Sequence, residues 1–263
     1  MVNEAAMIDP LHQFVISPIL KWNVFGVDLS FTNSSLAVVV AVLSVFAFFS
    51  LGLRKASLVP GRLQALIEMS YNLVAGLIKD NAGSAGLKYF PFVFSIFFFV
   101  LFGNLLGMVP YMFTYTSHII VTFTLALIVF LFVTLLGIWI HGFHFFSLFM
   151  PKGASLLLAP ILIPVEIISY LSRPVSLSVR LFANMMAGHT MMKVFAGFVS
   201  MLIGIFAAAP FEGFAPTASL ICSIIPVTVN VVLTCFELVI ACLQAYIFTI
   251  LTCVYLNDAI HLH

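Results

Sequence analysis

The C-terminal part of the chain carries two apolar stretches, Ser155 to Ala209 and Ser219 to Leu256, that are too long to cross a bilayer upright. A helix rises about 1.5 Å per residue, and the hydrocarbon core is about 30 Å thick, so about 20 residues suffice for a crossing. Taken as one helix, Pro226 to Leu256 alone would run roughly 45 Å and need a tilt of about 50°, beyond the roughly 40° that ordinary spans reach. The expectation is a pair of steeply inclined helices lying partly along the membrane, with Pro164, Pro174 and Gly188 as bend candidates. Two ordinary spans with long interfacial tails are the alternative.

The rest of the chain reads in the same solvent. Of 263 residues, 63% are hydrophobic and 7% charged, where a soluble domain carries about 25% charged residues. This is an all-α integral membrane protein, read as a single membrane domain over residues 1–263. Residues 1–33 form an N-terminal extramembrane segment and 34–53, free of charge, a first span. The stretch "MVNEAAMIDPLHQF" lacks the basic and apolar regions of a cleaved signal, and none is expected. Over 62–80, Leu63, Leu66, Ile67, Val74, Leu77 and Ile78 fall on one helical stripe with the charges elsewhere, the pattern of an amphipathic helix on the membrane surface. Residues 89–140 hold a hairpin of spans, Tyr89 to Val109 and Ile119 to Ile140. Tyr111 and Tyr115 in its turn suit an interfacial belt. The long inclined pair occupies 155–209 and 219–256. With five crossings, Arg54, Lys55, Arg62, Lys79, Lys88 and Lys152 fall on one side and Lys21 on the other, placing the N-terminus outside and the C-terminus inside.

Several functions are excluded. A net charge of +1 offers no field for nucleic acid, and no glycine loop of the phosphate-cradling type occurs. Cys222, Cys235, Cys242 and Cys253 lack zinc-site spacing and read as small buried hydrophobes. His141 and His144 have the spacing of a metal pair but no carboxylate or cysteine beside them, so a surface loop is the better reading. No metal and no cofactor are expected.

Within this apolar background, the segment "SRPVSLSVRLFANMMAGHTMMK" holds Arg173, Arg180, His189 and Lys193. An arginine at mid-bilayer costs about 2.5 to 3.5 kcal/mol even on the lenient insertion scale, so intramembrane charge is a functional hypothesis by default. Lys193 can snorkel, and Arg173 can pair with Glu166 two turns earlier. Glu166, Ser169, Arg173, Ser176, Arg180 and Asn184 cluster within a sector of about 80° of a helix, and His189 lies opposite Arg180. On the last helix Asn230, Glu237, Gln244 and Tyr255 share one face. Packing the two helices as a hairpin turns the His189 face toward Glu237 and Gln244. Arginine stays protonated, whereas His189, Glu237 and Glu166 can exchange protons, so Arg180 interrupts any relay that runs through it.

The segments "SRPVSLSVRLFANMMAGHTMMKVFAGF", "ELVIACLQAYIFTILTCVYLNDAIHLH", "FTNSSL" and "FGNLLGMVPY" resemble subunit a of the F-type ATP synthases. That resemblance covers nearly the whole chain. It implies a non-catalytic stator subunit of the F0 sector, with the inclined helices packed against a rotating c-ring and with peripheral stalk subunit b, other synthase subunits, membrane lipid and protons as partners. By the same resemblance, Arg180 matches the essential arginine facing the ring carboxylates, and Asn184 and Gln244 its polar neighbours. His189 and Glu237 match the pair on the half-channel from the high-proton side, and Glu166, Ser169 and Ser176 the groups near the opposite exit. Glu212 and Asn104 are vestibule candidates, as is Tyr255. The segment "LRKASLVPGRLQALIEMSYN" resembles bacterial members more than mitochondrial ones, which favours a bacterial inner membrane over a mitochondrial one. A self-contained secondary transporter is the rival reading, although no internal repeat is visible. A structural membrane anchor is the bland one.

Overall fold

The computed structural model describes residues 14–21, 23–24, 27–28, 30–54, 57–109, 112–149, 159–208 and 214–261. Short strands open the chain: β1 (Pro18–Leu20), β2 (Asn23–Val24), β3 (Val27–Asp28) and β4 (Phe31–Thr32). β1 pairs antiparallel with β4, with an irregularity between Pro18 and Leu20, and β2 pairs with β3. The helices follow as α1 (Asn33–Leu53), α2 (Arg62–Gly86), α3 (Phe90–Gly107), α4 (Ile119–His141), α5 (Ala159–Ala208) and α6 (Phe214–Ile260). Among the described residues five helical segments are long and apolar enough to cross a membrane, α2 and α3 being counted as one.

Local sequence accounts for the starts of α1 and α3. Thr32 caps α1, its hydroxyl accepting from the Ser35 backbone N–H at 3.3 Å, which satisfies one of the orphan donors at a helix N-terminus. The Asn33 side chain donates to Val15 O at 3.0 Å and accepts from Ser17 N at 3.2 Å. It thereby ties the N-terminal strand region to the first helix. Gly83, at φ 67, breaks the helical path near the end of α2, a conformation that glycine adopts without steric cost. Pro91 lies in the first turn of α3, where a missing N–H costs nothing.

α2 buries Gln64, Ile67, Val74, Ile78 and Ala82, whereas Leu63 and Leu66 of the expected stripe are exposed. The buried face is rotated because α2 packs on α1 and α6, and Gln64 turns inward to bind both the N–H and the carbonyl of Ser57. α1 meets α3 through phenylalanines, with Phe49 edge-on to Phe98 at 4.8 Å and Phe48 against Phe102 at 5.6 Å. Tyr115 is buried instead of lying in an interfacial belt. Its ring fills the space left by Gly103, and its hydroxyl donates to Phe99 O at 3.0 Å. Tyr111 and Lys152 lie outside the described residues.

α5 and α6 have 50 and 47 residues, and a straight helix of that size is about 70 Å long, more than twice the hydrocarbon thickness. α5 runs on through Pro164, Pro174 and Gly188 as one helix. The two helices pack antiparallel, since Arg173 meets Asp258, Asn184 meets Gln244, His189 meets Glu237 and Met192 meets Thr234. Of the four cysteines only Cys253 is buried, while Cys222, Cys235 and Cys242 lie on outward faces of α6. Lipid accepts such side chains as readily as protein does, so hydrophobicity alone does not draw these cysteines inward.

Candidate functional site

The site lies along the α5–α6 seam. At its centre Asn184 Nδ2 donates to Gln244 Oε1 at 2.8 Å. Gln244 is buried, and its amide nitrogen finds no partner among the described residues. Further along α5, His189 Nε2 stands 3.8 Å from Glu237 Oε1, with both residues buried. Charges interact at that separation, but it is beyond hydrogen-bond length. Glu237 accepts no hydrogen bond among the described residues. A buried carboxyl without donors is costly, which makes Glu237 a group that gains from a mobile proton. Gly188 provides the room, for a Cβ there would lie 2.5 Å from Glu237 Oε1.

His189 also forms part of the wall of a cavity of about 970 Å³. Asn33 and Ser17 belong to its wall, as do Gly107 from the end of α3, Thr114 from the α3–α4 turn, Lys193 from α5 and Asn230 and Thr234 from α6. All of these lie at the end of the bundle that holds the start of α1 and the end of α3. The Thr114 hydroxyl bridges Gly107 O at 3.1 Å and His189 Nε2 at 3.2 Å.

The Arg180 face is different. Ser169, Ser176, Arg180 and Asn184 are exposed on α5, with Glu166 half-buried. Around them Val175, Val179, Phe236, Val239 and Leu243 expose apolar surface. Among the described residues no carboxylate pairs with Arg180. A guanidinium held permanently charged in an apolar surface therefore lacks its counter-charge among the described residues.

Arg173 does not pair with Glu166. Its guanidinium turns toward α6, meets Asp258 Oδ2 at 2.8 Å and lies over the rings of Tyr170 and Tyr255 at 5.2 and 5.1 Å. Nearby, Thr134 and the Tyr170 hydroxyl are 2.7 Å apart, and His141 Nε2 reaches Ile260 O at 3.1 Å. Tyr255 thus belongs to this opposite end of the bundle and is not part of the cavity wall. Asn104 is not part of that wall either. It is fully buried and donates to Ala241 O at 3.3 Å, joining α3 to α6. Glu212 lies outside the described residues. Sequence reasoning missed Asp258 and Thr114. Asp258 had a usable signal, because it continues the spacing of Asn230, Glu237 and Gln244 along one face of α6; Thr114 had none, since only the turn brings it to His189.

Comparison with known proteins places these residues in a family. The model of the ATP synthase A chain family matches residues 34–257. ATP synthase subunit a of Parvibaculum lavamentivorans is 50% identical over 97% of this chain and 94% of its own length. The Rhodospirillum rubrum protein of the same name is 52% identical over 98% of this chain and 100% of its own, and that of Granulibacter bethesdensis 52% over 97% and 98%. The chain belongs to the ATP synthase A chain family.

Proposed function

We propose that this chain is the stator subunit of the membrane sector of an F-type ATP synthase, and that it offers protons two offset half-channels to the carboxylates of a rotating c-ring. The observation that carries the reading is Arg180, an exposed arginine on an apolar face with no counter-charge among the described residues. A carboxylate on a second protein, passing along the face of α5, satisfies it. The relatives' names support the assembly, and the cavity that reaches His189 supports a path on one side only.

In this mechanism a proton enters from outside through the cavity, is exchanged between His189 and Glu237, and neutralises a ring carboxylate. The neutral site turns into lipid, returns on the far side of Arg180 and releases its proton toward Glu166, with Ser169 and Ser176 along the same face. Arg180 cannot give up its proton, so it blocks a direct run between the two paths and stabilises each ring carboxylate as it ionises. Asn184 and Gln244 hold the seam polar beside it. Each proton crossing about 100 mV releases about 2.3 kcal/mol, so several are needed per ATP. ATP is made by other subunits; this chain is non-catalytic and works with the ring and the peripheral stalk subunit b. Its location is a bacterial inner membrane, with the N-terminus outside and α2 at the surface.

The test is ATP-driven acidification of vesicles holding the assembled complex, with a passive leak assay beside it. Arg180→Ala and Glu237→Gln abolish pumping in this reading, and Arg180→Ala leaks. Normal pumping by assembled Arg180→Ala would sink it.

A further inference from the structure

We infer that Thr114 is a positioning residue that fixes the tautomer of His189, holding the ring with its proton on Nε2, the nitrogen that faces Glu237. The inference rests on the proton-path reading above. It starts from an orphan carbonyl. Gly107 closes α3, and the last carbonyls of a helix have no intrahelical donor. The Thr114 hydroxyl supplies one, at 3.1 Å. A Cβ on Gly107 would lie 2.5 Å from Thr114 Cγ2, so the absence of a side chain there is what lets the threonine come in.

A hydroxyl has one hydrogen and two lone pairs. With the hydrogen committed to Gly107 O, the oxygen presents a lone pair to His189 Nε2 at 3.2 Å. That contact is favourable only if Nε2 carries a hydrogen. The opposite tautomer would require the hydroxyl to turn toward the ring, leaving the buried Gly107 carbonyl without its donor. Thr114 and His189 are both buried, so losing that bond carries the full desolvation cost. The hydrogen bond made at one ring nitrogen decides where the ring proton resides.

The consequence is directional. An arriving proton is taken on Nδ1, giving imidazolium. The Nε2 proton then passes to a carboxylate oxygen of Glu237, which becomes neutral, and the ring is left with its proton on Nδ1. Exchange of that proton with water of the cavity, with reprotonation at Nε2, restores the tautomer that Thr114 favours. The charged groups facing His189 are Glu237 from α6 and Lys193, which shares the cavity from α5.

The experiment uses the assembled membrane sector in vesicles, with the histidines of this chain labelled with 15N and the His189 signals assigned by difference against His189→Gln. At a pH where the ring is neutral, solid-state NMR should show the Nε2–H form in the wild type and in Thr114→Ser, and a gain of the Nδ1–H form in Thr114→Val. Passive proton conductance through the same vesicles should fall about tenfold in Thr114→Val, the net worth of one hydrogen bond, and recover in Thr114→Ser. An Nδ1–H ring in the wild type overturns the proposal, whether or not the valine variant assembles. So does a tautomer unmoved by Thr114→Val, or one that moves with conductance unchanged. Wild-type conductance that Glu237→Gln leaves untouched would instead overturn the proton-path reading, and this proposal with it.

Discussion

Gly188 and Glu237 are mutually exclusive in space beyond a hydrogen atom: a Cβ on the glycine would come within 2.5 Å of the carboxyl oxygen and 2.7 Å of the carboxyl carbon. Gly188→Ala should therefore displace the Glu237 carboxyl from His189 while leaving the helix intact, since alanine is the better helix former. The expected result is an assembled complex whose proton conductance falls by about tenfold to a hundredfold, the usual consequence of moving a reacting group by about 1 Å. Wild-type conductance in the alanine variant would show that the pair tolerates displacement.

Arg173 is held by an ion pair and by ring contacts together. Lysine keeps the charge but cannot lie flat between Tyr170 and Tyr255. Arg173→Lys should lower the stability of the detergent-solubilised complex by about 1 kcal/mol, the worth of a partly exposed cation–π contact. Asp258→Asn, which leaves the ring contacts and a hydrogen-bond acceptor in place, should cost less than about 1 kcal/mol, since the pair keeps some contact with solvent. Thermal denaturation of the two variants side by side checks the order.

Gln244 gains one hydrogen bond from Asn184 and leaves its own amide nitrogen unpaired. Gln244→Leu removes a bond worth about 1 kcal/mol together with a buried unsatisfied donor of similar cost. Assembly and thermal stability should change little, and Asn184 is exposed enough to find water. Proton pumping should fall all the same, because the seam beside Arg180 becomes apolar. A parallel loss of assembly and pumping would assign Gln244 to packing alone.

His118 stands at the N-terminal boundary of α4, its ring stacked on Phe113 at 5.1 Å. Burial holds its pKa below the ordinary 6.5, so the folded chain binds this proton more weakly than the unfolded one. The stabilising contribution is complete above about 6.5 and is lost as pH falls below it toward the folded value. A cation there would also face the positive end of α4. His118→Asn, with a residue suited to that boundary, should flatten the acid side of the stability profile. Thermal melts between neutral and mildly acidic pH test this, and an unchanged profile would exclude His118 as a source of the acid sensitivity.

The apolar runs revealed the long helices because twenty or more residues with little or no charge have few other uses, and the seam was legible because Glu237 and Gln244 repeat on one face of α6. Orientation within the bundle was harder. Leu63 and Leu66 are as apolar as Ile67, yet only Ile67 is buried, since lipid accepts leucine as readily as protein does. The same ambiguity hid the outward cysteines. Polar residues carried the reliable information, and even there Arg173 was matched to the near carboxylate on its own helix when the distant Asp258 offered both better geometry and flanking rings. Thr114 needed the fold itself, because nothing in a turn's composition tells which histidine it will meet.

The antiparallel seam has one more consequence. Two long helices coated with valine, leucine and isoleucine could settle in many registers at almost equal energy, because lipid gives no reward for one sliding position over the next. Arg173 with Asp258, Asn184 with Gln244 and His189 with Glu237 meet at three successive heights. A slip of one turn would strand all three pairs at once, each against hydrocarbon. The groups that handle charge along α5 and α6 are thus also the notches of a key, and the helices cannot lock together without bringing them into line.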